Sequence, residues 1–172
     1  TSGSAISFNK EPYPFSLYNQ PNSFYNPFNE DISKLFTKPI RGNLDNQLFP
    51  ILYSDLWGDY WGYLAFTSNN LEEGRNQLEI GDYLARVNIF SLIPTTFLIL
   101  GLFKITSNNQ INVLLRYIKY SILITFIGYL WFLIKYPEIP SGDTIKSSYV
   151  LQLFHLMALI SSLYIEQVRK RS

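Results

Sequence analysis

The stretch from Val87 to Phe103 reads VNIFSLIPTTFLILGLF and contains no charged residue. Two more apolar runs follow, YSILITFIGYLWFLI at Tyr120–Ile134 and SSYVLQLFHLMALISSLYI at Ser147–Ile165. A bilayer core takes roughly 20 helical residues, with about 17 as the short limit. The second run reaches that length if its helix begins before Arg116 and Lys119, whose long side chains can extend to the interface. We therefore predict three transmembrane helices, at about 87–105, 113–135 and 147–166.

The alternative interpretation is a soluble protein with three buried helices. Each run is apolar almost all round, and a soluble protein must cover such helices on every side. A chain of 172 residues has too little polar helical surface to cover three of them. The prediction is therefore a mainly α integral membrane protein, in which a small, irregular, mixed segment precedes three transmembrane helices.

Charge divides the chain near Arg86. Residues 1–86 contain six Lys and Arg against ten Asp and Glu, a net charge of −4. Residues 87–172 contain eight against three, a net charge of +5, so the whole chain carries +1. We predict an aromatic-rich segment over 1–86 and a transmembrane region over 87–172. The absence of cysteine excludes disulfides, thiolate metal sites and a cysteine nucleophile.

The basic residues outside the apolar runs predict an orientation. The link between the first two helices carries positive charge without an acid, and a basic end at Arg169–Arg171 follows the third helix. Positive charge is retained on the cytoplasmic side of a membrane. Because three helices alternate in direction, both basic regions and the C-terminus are expected on the cytoplasmic side of the plasma membrane. The acidic N-terminal segment and the loop Pro137–Lys146 are then extracytoplasmic.

Polar residues inside the apolar runs recur at helical spacing. The stripes are Asn88, Ser91 and Thr95 on the first helix, Tyr117, Ser121, Thr125 and Gly128 on the second, and Ser148, Gln152, His155 and Ser162 on the third. Unpaired polar groups cost free energy in hydrocarbon, so we expect each stripe to face protein. A structural role explains His155 better than proton transfer, because no second titratable group accompanies it. Pro94 is expected to kink the first helix.

The N-terminal segment predicts little regular structure. Prolines interrupt every long helix over residues 1–47, among them Pro12, Pro14, Pro21 and Pro27. We expect an extended, turn-rich strip held by its aromatic side chains, with a short helix at Asn29–Phe36. Leu48–Ser54 has strand character, and Leu71–Ala85 is expected to form a short helix or hinge that leads into the first span.

Tyr53–Tyr63, with the sequence YSDLWGDYWGY, is named here the acid–aromatic stretch. One interpretation is an interfacial belt, since Trp and Tyr settle at the level of the lipid headgroups. The other is a platform for a sugar or a lipid headgroup, in which aromatic faces stack on a pyranose and carboxylates accept its hydroxyls. The candidate substrate-binding residues of this stretch are Asp55, Trp57, Asp59, Tyr60 and Trp61. The spacing of the two aspartates could support general acid–base chemistry, and a belt does not require acids.

The loop Pro140–Lys146 is a second candidate, because it leads directly into the third helix. Ser141 or Asp143 suits an N-cap, and a helix N-terminus with Lys146 in its first turn also suits a phosphate. The chain contains no Walker loop, zinc-ligand spacing, GxSxG or dinucleotide fingerprint. We expect no cofactor, no metal and no nucleic-acid partner, and the residues alone assign no catalytic group.

Three groups of residues carry a resemblance to a known family. They are Ser7-Phe8-Asn9, Pro14-Phe15-Ser16 and Asn19-Gln20-Pro21; Asn46-Gln47 with the acid–aromatic stretch; and Gly142–Tyr149. Together they resemble the C-terminal region of prokaryotic multi-spanning membrane glycosyltransferases of the GT-C type, in the protein-mannosyltransferase and aminoarabinose-transferase-like group. The resemblance covers most of the chain, but it rests on local strings and includes no catalytic motif.

The resemblance implies an enzyme that moves a sugar from a polyprenyl-phosphate carrier to an acceptor at the extracytoplasmic face. The essential acids of such enzymes lie in a first extracytoplasmic loop that this chain does not contain, so the chain would be a fragment and an incomplete catalyst. The acid–aromatic stretch would line the sugar or acceptor cavity, and Lys146 would meet the carrier phosphate. The implied partners are the lipid bilayer, the polyprenyl-phosphate-linked sugar and the remaining transmembrane helices of the same protein or complex.

The alternative function is that of a small, non-catalytic accessory subunit of a membrane protein complex. Its extended N-terminal strip would clamp a neighbouring subunit, as extended chains do when they add to an exposed surface. A channel or transporter fits less well, because no span carries a paired intramembrane charge.

Overall fold

The computed structural model describes residues 11–26, 30–39, 46–59, 74–107, 113–137 and 144–170. All regular secondary structure in these ranges is helical. The α-helices are α1 (Asn22–Tyr25), α2 (Lys34–Thr37), α3 (Leu48–Trp57), α4 (Gly74–Phe90), α5 (Leu92–Ser107), α6 (Val113–Lys135) and α7 (Leu151–Arg169). Short 3-10 helices occupy Leu17–Asn19, Glu30–Ser33 and Ser147–Val150.

The long helices confirm a mainly α protein with segments suited to a membrane. Val113–Lys135 and Ser147–Glu166 are each long and apolar enough to cross a bilayer. A third span is formed if Gly81–Phe90 and Leu92–Phe103, which meet at a bend of 44°, count as one. The described residues therefore contain two or three helices that could span a membrane, consistent with a membrane protein. Helix α4 continues through Arg86 without a break.

The bend between α4 and α5 lies at Ser91, three residues before Pro94. Pro94 has no N–H to donate to the carbonyl of Phe90 in the preceding turn. The Ser91 hydroxyl donates to the Val87 carbonyl at 2.7 Å, and the Thr95 hydroxyl donates to the Ser91 carbonyl at 2.7 Å. Such bonds back to the preceding turn favour bending of a helix. The kink expected from Pro94 is thus confirmed.

Helices α5 and α7 cross closely because a glycine faces a serine. A Cβ atom placed on Gly101 would lie 2.8 Å from Oγ and 2.9 Å from Cα of Ser161. Small residues permit this kind of backbone approach between helices in a membrane. A small apolar cluster lies beside the crossing, with Ile118 and Ile160 buried at its centre and Leu102, Leu115, Ile122 and Leu156 around them.

The larger core lies at the end of the bundle where α6 ends and α7 begins. The described part of residues 11–59, named here the N-terminal cap, packs on this end. Phe24 and Ile51 from the cap are fully buried together with Leu84, Leu133 and Ile145. The N-terminal segment is thus folded onto the bundle by apolar packing.

Hydrogen bonds to the last turn of α6 also fix the first part of the cap. Asn19 Nδ2 donates to the Ile134 carbonyl at 3.0 Å, and Gln20 Nε2 donates to the Leu133 carbonyl at 2.8 Å. The Tyr13 backbone N–H donates to the Lys135 carbonyl at 2.9 Å. The last carbonyls of a helix have no partner within the helix, so the strip acts as its C-terminal cap.

Within the described residues, the aromatic anchoring of the strip is weaker than expected. Tyr13, Phe15 and Tyr18 are exposed, and among the aromatic residues described there Phe24 alone inserts fully into the core. Amide side chains hold the strip instead, because the carbonyls at the end of α6 require donors.

The strand expected at Leu48–Ser54 is also wrong, since this segment belongs to α3. Its buried apolar residues Leu48, Ile51 and Leu52 follow helical spacing, and Pro50 lies in the first turn, where proline is tolerated. The short helix expected at Asn29–Phe36 is confirmed within the described range, as the 3-10 helix Glu30–Ser33 followed by α2.

The three polar stripes have different surroundings. Asn88 and Ser91 are buried, as expected for a stripe that faces protein. The stripes on α6 and α7 are largely exposed: Tyr117, Ser121 and Gly128 are exposed, and so are Ser148, Gln152, His155 and Ser162. This chain leaves the stripes on α6 and α7 largely uncovered, so the expectation that these two face protein stays a prediction. Their opposite faces carry the larger apolar residues that form the core.

Candidate functional site

Helix α3 carries Asp55 into the protein interior. Leu48, Ile51, Leu52 and Asp55 recur at the spacing of one helix face, and all four are buried. Asp55 is only 2% exposed. A buried carboxylate is costly unless hydrogen bonds or charges compensate it, so its surroundings must supply such groups.

One compensating group comes from the start of the last helix. The backbone N–H of Ser147 donates to Oδ2 of Asp55 at 3.4 Å, and both residues are buried. Ser147 begins the 3-10 helix that continues into α7. A carboxylate at a helix N-terminus is stabilised by the unpaired N–H groups and the helix dipole. The acid–aromatic stretch and the segment around Lys146 therefore meet in space, although Asp55 and Ser147 are 92 residues apart.

Tyr129 of α6 holds the backbone around Lys146. Its hydroxyl accepts from the Lys146 backbone N–H at 2.8 Å and lies 3.1 Å from the Lys146 carbonyl and 3.3 Å from the Thr144 carbonyl. Tyr129 is buried in the core, so the position of its hydroxyl is fixed. The Lys146 side chain is half-buried at the start of the last helix. Hydrogen bonds to α3 and α6 therefore hold the backbone at Lys146 and Ser147.

Asp59 and Trp57 lie at the other end of α3. Asp59 is 2% exposed, and its backbone N–H donates to the Ser54 carbonyl at 3.1 Å, next to the bond from Gly58 at 2.9 Å. Trp57 is half-buried. Of the other predicted site residues, Tyr60 and Trp61 lie outside the described residues, as do Ser141 and Asp143. The 3-10 helix has Lys146 at its N-cap position instead, without a side-chain cap.

Gly58 permits the close approach of α3 and α4. A Cβ atom at this position would lie 2.8 Å from Cδ2 of Leu84 and 3.1 Å from Cγ1 of Val87. Gly58 therefore has a packing role in this stretch.

A polar network centred on Asn88 was not identified from the sequence as part of the site. Asn88 is fully buried, and its Nδ2 donates to the Leu35 carbonyl at 2.8 Å and to the Ser54 hydroxyl at 2.9 Å. The Tyr53 hydroxyl donates to the Asn88 carbonyl at 2.6 Å. Burial raises the pKa of Tyr53, and a hydrogen bond with Thr95 opposes that effect. This network joins α2, α3 and α4, and its only sequence signal was the polar stripe on the first span.

A second group of buried amides lies before α3. Asn46 adopts a positive φ of 56° and donates from Nδ2 to Oε1 of Gln20 at 2.6 Å. Gln47 is completely buried, and neither its Oε1 nor its Nε2 has a hydrogen-bond partner among the described residues. The Asn46-Gln47 pair thus directly precedes α3, and Asn46 contacts Gln20, which caps the end of α6.

The arrangement suits polar recognition. Two buried aspartates flank one half-buried tryptophan on α3, and a lysine follows close by at the start of the last helix. Within the described ranges, no group of three or more His, Asp and Glu residues could hold a metal ion. Because Asp55 accepts from Ser147, its immediate effect is to position the segment that carries Lys146.

No protein-family model, characterised protein or solved structure matches this chain. The interpretation of the site therefore depends on its residues and their geometry.

Proposed function

We propose that this chain forms the C-terminal part of an integral membrane glycosyltransferase. The enzyme moves a sugar from a polyprenyl-phosphate carrier to an acceptor at the extracytoplasmic face, and its catalytic acids lie outside these 172 residues. Asp55 positions the start of the last helix, and Lys146 meets the carrier phosphate. Trp57, Asp59, Tyr60 and Trp61 belong to the wall of the sugar or acceptor cavity.

The observation that carries this proposal is the bond from Ser147 to Asp55. It joins two of the three strings on which the resemblance to membrane glycosyltransferases rests. The cationic side chain of Lys146, half-buried at the start of the last helix, suits a phosphate. The presence of two or three helices able to span a membrane agrees with a lipid-linked donor.

The test is sugar transfer by the full-length protein with a polyprenyl-phosphate-linked sugar. Lys146→Ala is expected to raise the KM for the carrier about tenfold or more, because a charge-assisted contact to phosphate is removed. Lys119→Ala is the matched control: this lysine is also half-buried but lies near the opposite end of the bundle, and its removal should leave transfer unchanged. Transfer at the wild-type rate and KM in Lys146→Ala would exclude the proposed contact.

A second candidate is a non-catalytic accessory subunit of a membrane complex. The exposed polar faces of α6 and α7, and the exposed aromatic residues of the strip, favour it. Purification of the native complex in mild detergent separates the two proposals. An accessory subunit co-purifies stoichiometrically with a distinct catalytic chain, whereas transfer activity that stays with this polypeptide alone supports the transferase.

A further inference from the structure

The first two turns of α6 border a cavity of about 280 Å³. The described residues that line it are Val113, Arg116, Tyr117 and Tyr120. Residues at positions i, i+3, i+4 and i+7 share one face of a helix, so a single face of α6 carries all four. Another face of α6 carries Ile118, which is buried in the small cluster with residues of α5 and α7. The cavity therefore lies on the outward side of α6, where a lipid would contact it.

The cavity offers hydrogen-bond donors that other described residues do not use. The guanidinium of Arg116 and the hydroxyls of Tyr117 and Tyr120 make no hydrogen bond or ion pair within the part of the chain that the structure describes. All three side chains are exposed. Arginine has five N–H donors and no acceptor, and a tyrosine hydroxyl also donates. The ligand that suits this set is an anion with several acceptor oxygens.

Among the described residues, no acid balances the charge of Arg116. Residues 87–137 contain no Asp or Glu. Because α7 begins where α6 ends, the last turn of α7 lies at the same end of the bundle as Arg116. The acid of that turn, Glu166, already pairs with Lys170 at 2.8 Å. A charge at the edge of a membrane requires a partner, and here an anion from outside the chain can supply it.

The position of the cavity along α6 suits the level of lipid headgroups. The uncharged run of α6 begins at Tyr120, about 6 Å along the helix from Arg116 at 1.5 Å per residue. Tyrosine side chains settle at the level of the headgroups, and a long arginine side chain reaches toward them. When α6 crosses a bilayer, the donors of the cavity therefore lie at the depth of phospholipid phosphates.

We propose that this cavity binds the phosphate of one anionic phospholipid, with the Arg116 guanidinium as its main donor. A guanidinium donates to two phosphate oxygens at once, and the hydroxyls of Tyr117 and Tyr120 donate to the remaining oxygens. A zwitterionic headgroup also brings an ammonium group, and residues 87–137 contain no acid that could pair with it. The site therefore selects a headgroup with net negative charge. The proposal does not depend on glycosyl transfer, because Lys146 lies at the opposite end of the bundle.

Native mass spectrometry of the full chain in detergent tests this selection. Phosphatidylglycerol and phosphatidylcholine with identical acyl chains are titrated separately onto the delipidated protein. The first phosphatidylglycerol should bind at least about tenfold more tightly than the first phosphatidylcholine. Equal dissociation constants would overturn the proposal. Because this comparison uses the unaltered chain, it does not depend on the folding of a variant.

Three variants locate the binding. Arg116→Gln should weaken binding of the first phosphatidylglycerol at least about tenfold, because a charge-assisted contact is lost. The matched control is Arg169→Gln, which removes the same charge from an exposed position at the same end of the bundle, away from the residues that line the cavity. It should change the dissociation constant less than about twofold. Tyr117→Phe combined with Tyr120→Phe keeps both rings and should weaken binding several-fold.

Each contrary result overturns the proposal. Equal weakening in Arg116→Gln and Arg169→Gln would mean that binding follows net charge alone. Wild-type affinity in the double phenylalanine variant would exclude the two hydroxyls as donors. Displacement of phosphatidylglycerol by an equal concentration of inorganic phosphate would assign the cavity to a soluble anion. Displacement by a lower concentration of polyprenyl phosphate would assign it to the carrier, and would leave the proposed transferase standing.

Discussion

The N-terminal cap and the crossing of α5 with α7 are held together by different interactions. At the cap, buried amides and hydroxyls donate to carbonyls on neighbouring helices, with Asn88 and Gln20 at the centre. At the crossing, Gly101 and Ser161 bring two backbones together through small side chains. In the cap, a polar side chain takes the place of water as the hydrogen-bond partner of a carbonyl at a helix end. At the crossing, close packing of the two backbones supplies the stabilisation.

The difference shows which substitutions each region tolerates. Removing one member of a buried polar network lowers the free energy of unfolding, because the remaining buried groups have no hydrogen-bond partner. Enlarging a side chain at a close helix crossing also lowers the free energy of unfolding, because the two backbones must separate. Truncation should therefore damage the cap most, and enlargement should damage the crossing most.

Asn88→Ala should have the largest effect. It leaves the Leu35 carbonyl and the Ser54 hydroxyl without their donor and opens a small cavity, so we expect destabilisation of about 2–4 kcal/mol. Thermal unfolding of the purified protein in detergent measures this change. The control is Gln152→Ala, at an exposed polar position of α7, which should shift stability by less than about 0.5 kcal/mol. Similar shifts for both variants would contradict the proposed importance of the network.

The helices could be predicted from the sequence because their apolar runs are long and nearly uninterrupted. The α6 range agrees with the predicted second span, and Pro94 predicted the bend. The strand expected at Leu48–Ser54 failed because a short apolar run has no clear period until its partners are known. The buried face of this segment depends on contacts with residues far away in the chain, such as the bond between Asp55 and Ser147.

Part of the candidate site was also accessible from the sequence. Asp55 and Lys146 stood out by residue type, but their proximity depends on a contact between residues far apart in the chain. The sequence also could not distinguish the buried stripe at Asn88 from the exposed stripe at His155. Both have helical spacing, and periodicity identifies a face without saying what covers it.

Gly101→Ala should have an intermediate effect. The added Cβ would meet the backbone of Ser161, which cannot move aside as a flexible side chain can, so we expect a loss of about 1–3 kcal/mol. The matched control is Gly128→Ala on α6, where no atom lies within 4 Å of the added Cβ. That change should be neutral or stabilise the helix by up to about 1 kcal/mol.

The chain contains no cysteine, which permits a direct measurement of the α5–α7 crossing. A single cysteine at Ile160, which is 1% exposed, should react with a thiol reagent only when the helices separate. Labelling should be faster in Gly101→Ala than in Gly128→Ala. Equal labelling rates would show that the crossing adjusts to the extra methyl group.

Tyr129→Phe should have the smallest effect on stability and a local effect on the site. The ring still fills the core, but the Lys146 N–H loses its acceptor, so we expect a loss of about 1–2 kcal/mol. Hydrogen exchange should become faster at the Lys146 and Ser147 amides and stay unchanged at Gly101. Since the apolar packing is kept, this variant separates the polar restraint on the Lys146 segment from the stability of the bundle. Unchanged exchange at Lys146 would mean that the bond from Ser147 to Asp55 holds the segment without help from α6.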